Sequence, residues 1–535
     1  MNGYEIDLVE KCAQVPLRVA VLLDTELQPA WLYAVLEKVK RLSFVELCLI
    51  IKHEQVTRDD ESPVLWKLYR YADDRLFGRV ADALTAQNIS ELVIGVPLRE
   101  IDFKIDFSAN FAEHKLDVVL DISGGIDSVS LASMASMAHY GIWRYEFDDT
   151  CARDPSAVGR REVLSESTLT VSSLVSHLAD GKVICLYRSQ SRTIPFSPRR
   201  NRDNVYWKST SFASRALTAL HQTQAMPSDL AAPSNSLDAQ PHGFNLTTTL
   251  VRAGANLVGR GLQKLKTVDQ WFIAFKFDSQ PSLPQSLTGF QSIMPPKDRF
   301  WADPFPIERD GRYYVFIEEL PFASNKGHIS VMEVQPDGRW TKPVKVLERD
   351  YHLSYPFLFE WQGALFMLPE TGQNHTVEVY RCHRFPDDWR LEKVLLENIR
   401  SADATLTNVG DRWWMFVNIG EVGTELYDEL HLYYADQPFG NWQPHRCNPV
   451  KSDALSARPA GNLLHWQGEL YRPAQVCAPL YGAAISLNKI ERLDTEHFIE
   501  REVSRLCPIG QLGCHTYNRT GNLTVIDAFQ RTPRY

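Results

Sequence analysis

The chain has no apolar run approaching the roughly 20 uncharged residues that a membrane-spanning helix needs. Its N-terminus has no basic stretch leading into an apolar segment, so a secretory leader is not expected. Positive charge is in deficit: the formal net charge is −9 at pH 7. That argues against a nucleic-acid partner, whose phosphates call for concentrated basic residues. The nine cysteines are scattered, with no C-x-x-C pair or other metal-ligand spacing. They read as ordinary thiols of a reducing compartment, and no metal site is expected. A cytoplasmic protein is the expectation these absences leave.

What is abundant is apolar and aromatic sequence, 44% and 11% of the residues, ample for packed cores. Much of it is periodic. Phe300-Trp301-Ala302-Asp303-Pro304-Phe305 is followed by Gly311 and the aromatic run Tyr313–Phe316. Related units begin at Ser354-Tyr355-Pro356-Phe357, Ala402-Asp403-Ala404-Thr405, Arg458-Pro459-Ala460-Gly461 and Cys514-His515-Thr516-Tyr517, each followed by a glycine and an apolar strand. The period is about fifty residues, in the range of propellers. A short strand, a glycine turn and an aromatic strand form a hairpin signal. An alternating strand follows (329–334, 377–380, 430–434, 484–487), then a fourth marked by Trp340, Trp389, Trp442 or Phe498. Four strands repeated radially make a β-propeller blade. The fifth unit has two strands, and 271–277 with 289–293 would supply the other two and close the ring. Residues 268–535 are therefore expected to form a five-bladed β-propeller.

The N-terminal part alternates apolar strands (17–23, 45–51, 91–96, 116–121) with helical patterns near 31–39 and 76–84. This predicts an α/β open sheet of Rossmann type over residues 1–221, with Asp24 and Asp121 at the strand ends where ligands of such sheets bind. Residues 222–267 read as a linker, rich in Ser, Pro, Ala, Gln and Asn, ending in a basic amphipathic helix at 246–266. That helix suits peripheral contact with the inner membrane, or packing on its own domain.

Two resemblances cover the N-terminal part. Ser123-Gly124-Gly125-Ile126-Asp127-Ser128 resembles the pyrophosphatase loop of ATP-using adenylating enzymes, although it follows the fourth strand rather than the first; a helix-capping turn is the structural alternative. Residues 17–221 resemble the formyltransferase-like fold, on His139–Asp149, Leu178–Ile184 and Asn201–Lys208. Relative to that family, Arg144 stands in the Asn place, Glu146 in the His place and Ala179 in the Asp place. The resemblance thus implies the fold with its usual catalytic residues replaced, leaving Arg144, Glu146 and Asp148 as this domain's candidate site.

In the propeller, the starts of the innermost strands converge on one mouth. Asp303, Glu370 and Asp403 are the candidate catalytic carboxylates, since glycosyl chemistry needs one acid to protonate the leaving oxygen and another to stabilise or activate. Glu319 (or Glu318), Tyr355, Arg458, Arg472 and His515 are the candidate substrate contacts. His352, His375 and His515, taken singly, read as hydrogen-bonded structural residues rather than metal ligands. Asp303-Pro304 resembles the blade-one Asp of family 43 glycoside hydrolases, but Tyr355-Pro356 replaces the second Asp. Trp301-Ala302-Asp303-Pro304-Phe305, His352–Pro356, Leu368-Pro369-Glu370, Trp389–Lys393 and Trp442–His445 resemble the N-terminal propeller of the glucosamine inositolphosphorylceramide transferase family. That resemblance implies work on surface glycans or glycolipids, with a carbohydrate or glycolipid substrate and a nucleotide sugar as candidate partners. A glycosyl or related group transferase of bacterial glycan assembly is the leading expectation. The alternatives are a non-catalytic glycan-binding propeller, or a sugar N-formyl- or acyltransferase in the N-terminal domain. The sequence names no cofactor.

Overall fold

The computed structural model describes residues 15–53, 64–77, 82–101, 111–123, 126, 128–147, 150–151, 158–226, 254–255, 259, 261–263, 265–279, 286–421, 423–508 and 510–534. Two compact units result, one drawn largely from residues before Asn245 and the other dominated by Leu246–Tyr535. Most of the linker and amphipathic helix expected at 222–267 lies outside the described residues, as do Gly124, Gly125, Asp127 and Asp148.

The N-terminal unit is built on a sheet whose strand order is Val183–Arg192, Leu169–His177, Ile142–Phe147, Val118–Asp121, Leu17–Leu23, Val45–His53 and Leu98–Ile101. Leu17–Leu23 is an interior strand and runs parallel to both neighbours. Its near-continuous burial explains its unbroken apolar run. Ile142–Phe147 pairs antiparallel with Leu169–His177, so the sheet is mixed rather than wholly parallel. The helix Ala30–Lys40 buries Trp31, Leu32, Val35, Leu36 and Val39, the stripe its 3.6-residue period predicts.

The strands and helices differ from the sequence pattern in two places. Residues 91–96 are not a strand; they form successive turns, with Ile94 76% exposed, and the edge strand is Leu98–Ile101. A short apolar run carries no period able to distinguish a strand from a collapsed turn. The second helix lies at Val64–Phe77, earlier than the 76–84 pattern indicated.

The second unit is the propeller. Among the described residues, five sheets each supply a blade. Blade one is Arg299–Arg309, Arg312–Pro321, His328–Val334 and Val344–Leu347. Blade two is Ser354–Trp361, Ala364–Glu370, Thr376–Arg384 and Asp388–Glu397. Blade three is Ser401–Val409, Arg412–Ile419 and Glu429–Ala435, edged by Gln443–Pro444 and Lys451–Ser452. Blade four is Leu464–Trp466, Glu469–Val476, Ala484–Leu493 and Phe498–Leu506. Blade five joins the two ends of the repeat: Thr267–Phe277 pairs along its length with Leu523–Pro533, Gln291–Ile293 adds the outer edge and Tyr517–Thr520 the inner one. This closure gives Leu523–Pro533 a full-length partner in place of an open edge.

The hairpin turns explain the recurring glycines. Asp310-Gly311, Gln362-Gly363 and Gln467-Gly468 have positive φ at both positions, the type I′ geometry that matches strand twist. Aromatic residues of the first two strands pack between blades, as where Phe305, Tyr355, Phe357, Phe359, Phe366 and Trp413 share one cluster. Trp340 is not in a fourth strand; it makes an isolated bridge to Val334 and is 40% exposed.

Candidate active site in the propeller channel

The site begins with a bulge repeated in three blades. The innermost strand slips against the second between Ala302 and Phe305, between Ser354 and Phe357, and between Ala402 and Thr405. Two residues then oppose one. The first bulged residue is Asp303, Tyr355 or Asp403, with φ of 50°, 46° and 53°. A left-handed conformation is costly away from glycine, so each is held there by its surroundings.

Asp303 is 5% exposed. Its Oδ1 accepts from the Thr516 hydroxyl at 2.6 Å and its Oδ2 from the Tyr355 N–H at 3.1 Å. Its own N–H donates to Asp527 Oδ2 at 3.0 Å. His515 Nδ1 lies 2.5 Å from Asp527 Oδ2 and 3.8 Å from Asp303 Oδ1, and its ring stacks on Trp271 at 4.0 Å. Burial pushes the Asp303 carboxyl up; His515 pulls it back, while Glu318, Asp403 and Asp527 add repulsion, leaving it at about 7. Burial opposes the charge on His515, but Asp527 and Asp303 outweigh it and raise the imidazole to about 9.

A second cluster joins blades two, three and four. Arg458 Nε is 2.6 Å from Asp403 Oδ2, and its Nη2 is 3.4 Å from Glu370 Oε2. Gln475 Nε2 donates to the same Asp403 oxygen at 2.6 Å. Burial, and then the charge of Asp403, pushes the Glu370 carboxyl well above the usual range; Arg458 opposes this, and the two carboxyl groups share a hydrogen bond. Raising one carboxyl of a close pair is how paired acids divide into a proton donor and a fixed charge. Above Arg458 lie the rings of Tyr481 and Tyr427, at 5.1 and 5.9 Å from the guanidinium.

Of the residues expected from sequence, the structure therefore gathers Asp303, Glu370, Asp403, Arg458 and His515 into two adjoining clusters. Tyr355 is fully buried: its ring packs on Phe305, and its hydroxyl lies 2.8 Å from Thr405 Oγ1 and accepts from Gly461 N–H at 2.7 Å. It ties blade two to blades one and three and to the fourth repeat instead of facing a ligand. Glu319 turns away from Asp303 and is held by Arg299, Trp301, Ser330 and His328. Burial opposes its charge, but these donors hold it down at about 2. Its neighbour Glu318 faces the site, pairing with His352 Nε2 at 3.1 Å. Successive strand residues point to opposite faces, which decides between the two. Arg472 is likewise corrected: it is 1% exposed, forks onto Glu500 at 2.6 and 2.8 Å and donates to Ser456 O. Gln475, three residues later, takes the place in the site that Arg472 was expected to hold.

Asp527 and Gln475 were not anticipated. Each is a lone polar residue inside an apolar second strand, Val525-Ile526-Asp527-Ala528-Phe529 and Pro473-Ala474-Gln475-Val476. A buried polar group of that kind needs a partner, and this was the available signal.

Asp303, His515 and Asp527 together have the donor set for a cation, with candidate ligand atoms within 4.8 Å of one another. The 2.5 Å contact of His515 with Asp527 and the raised imidazole mean that a proton already supplies positive charge there. A metal ion would have to displace it.

In the N-terminal unit, Arg144 is buried and donates to Asp121 Oδ2 at 2.6 and 2.8 Å and to Ile126 O at 2.9 Å. Its charge holds the end of the Val118–Asp121 strand and is not open to a substrate. Glu146 Oε1 lies 3.8 Å from His177 Nε2, and Ala179 sits in a turn.

Residues 289–525 match the family described as glucosamine inositolphosphorylceramide transferase 1, N-terminal. The match runs over the propeller repeats and covers less than half of the chain. The chain is 35% identical over 209 residues to glucosamine inositolphosphorylceramide transferase 1 of Oryza sativa subsp. japonica, covering 38% of this chain and 28% of that protein. Against the Arabidopsis thaliana protein of the same name it is 30% identical over 222 residues, 41% of this chain and 29% of that one. The chain thus spans less than a third of the length of these curated relatives. Among solved structures, the family 43 β-xylosidase/α-arabinofuranosidase CoXyl43 from a compost metagenome aligns at 13% identity with a TM-score of 0.33, over 44% of this chain and 92% of that one.

Proposed function

We propose that the propeller is the carbohydrate-active part of a transferase that works on a glycolipid or surface glycan, with its reaction site in the channel. The observation that supports this most directly is the convergence of Asp303, Glu370 and Asp403 from three successive blades, with the Glu370 carboxyl pushed up by burial and by Asp403. In this reading Glu370 gives its proton to the leaving oxygen. Asp303, balanced near neutrality, takes a proton from the attacking hydroxyl. Asp403, fixed by Arg458 and Gln475, supplies the negative charge that steadies an oxocarbenium-like centre. The rice and Arabidopsis relatives are named for glucosamine and inositolphosphorylceramide; we carry over the coarser class, a sugar donor such as a nucleotide sugar and a glycolipid or glycan acceptor. In the N-terminal unit, Arg144 is already paired with Asp121.

The test is a crystal structure of the full chain soaked in turn with nucleotide sugars and amino sugars, combined with a transfer assay on glycolipid acceptors. A sugar seated beside Glu370 and Asp303, with transfer, is expected. A sugar seated only in the N-terminal unit would sink the proposal. A second reading, a glycan-binding propeller without catalysis, is favoured by the saturation of Asp403 by two donors; it predicts channel occupancy with no turnover.

A further inference from the structure

The second strands place one polar side chain at the same register in three successive blades. Ala302 pairs with Glu318, Ser354 with Glu370 and Ala402 with Asn418, each immediately before the bulge. In blades one and two this side chain reaches the next blade: Glu318 contacts His352, and Glu370 contacts Arg458 and Asp403. Asn418 occupies the blade-three position, yet it is fully buried and neither its Oδ1 nor its Nδ2 has a partner. It flanks Asp403, whose neighbour Ala402 is its strand partner. Gln475, bonded to Asp403 from the other side, also keeps an unpartnered Oε1. Three polar atoms of two amides thus stay open, with Gln475 bonded to Asp403 and Asn418 in register with its neighbour Ala402. A buried amide left unbonded lowers stability, so such an arrangement persists where a ligand completes it.

We propose that Asn418 reads a hydroxyl group of the bound sugar, with Gln475 Oε1 as the second acceptor. The hydroxyl accepts from Nδ2 and donates to Oδ1, and an adjacent hydroxyl of the same sugar donates to Gln475 Oε1. Asn418 is then a specificity residue for the channel proposed above as a carbohydrate site, and the inference rests on that reading.

The experiment compares wild type with Asn418→Leu in the full chain, by thermal melting and by calorimetric titration with a panel of monosaccharides, their deoxy analogues and nucleotide sugars. Leucine fills the same space and has no polar group to satisfy. The melting temperature is expected to stay or rise, while affinity falls at least about tenfold. One deoxy analogue should bind wild type and variant alike, which identifies the hydroxyl. A lower melting temperature in the variant overturns the inference, because the amide would then be bonded in the free protein. Equal affinity of wild type and variant overturns the inference and leaves the channel reading standing. A wild type that binds no sugar on the panel overturns both.

Discussion

Arg458 of the fourth repeat and Asp403 of the third meet at 2.6 Å through Nε and Oδ2, and neither side chain is more than 10% exposed. The same guanidinium reaches Glu370 of the second repeat and the Leu426 carbonyl. One cation therefore offsets two carboxyl groups in the channel wall.

Arg458→Met should cost about 3–5 kcal/mol, because it leaves a buried carboxylate without its counter-charge. Equilibrium denaturation checks this. Arg458→Lys should recover part of the loss, since it restores charge without the guanidinium fork. A Met variant as stable as wild type would show that Asp403 is not relying on this pair.

Asp303→Asn and Glu370→Gln should each fold and each lose transferase turnover by at least about a hundredfold, the usual contribution of a positioned acid or base. Glu370→Gln should retain more activity toward donors with good leaving groups, which need less protonation. Initial rates on matched donors decide the point. Unfolding of both variants would assign these acids to structure, and full activity of both would move the reaction elsewhere.

Stability should fall as pH rises, in two windows. A carboxyl raised to about 7 holds its proton more tightly in the folded state, so its contribution is complete below the usual carboxylate range and is lost as pH climbs through about 7. His515, raised to about 9, contributes fully below the usual imidazole value and loses that contribution as pH climbs through about 9. Melting temperature measured against pH should decline less steeply in Asp303→Asn over the lower window and in His515→Gln over the upper one. Curves parallel to wild type in both variants would contradict the assignment.

Tyr355→Phe should cost about 1–3 kcal/mol while leaving sugar binding intact, because the Gly461 N–H loses a buried acceptor and the channel face is unchanged. Denaturant titration and sugar affinity on the same sample separate the two effects. Lost affinity at wild-type stability would restore Tyr355 to the list of ligand contacts.

Removing residues 267–293 should make the protein aggregate, since Leu523–Pro533 would lose its antiparallel partner and present a bare edge. Light scattering of the purified truncation gives the answer. A well-behaved truncation would mean that the ring holds without its fifth closure.

The sequence by itself determined the blade plan of this protein, because strand alternation, glycine turns and the about fifty-residue spacing are local signals that each repeat states again. Ring closure was legible for a related reason: two strands were missing at one end and two were spare before Arg299. Which residue of a neighbouring pair faces the channel was not legible. Glu318 rather than Glu319 depends on the register of the Asp303 bulge, and in a strand a slip of one residue turns every side chain to the other face. The same holds for Gln475 over Arg472. The 91–96 run misled because apolar composition without a period does not specify a strand. The upward shift of the Glu370 carboxyl and the pairing of Arg458 with an Asp403 55 positions earlier were decided only by the tertiary structure. Burial and the field of charges from other blades set them, and neither exists until the ring has closed.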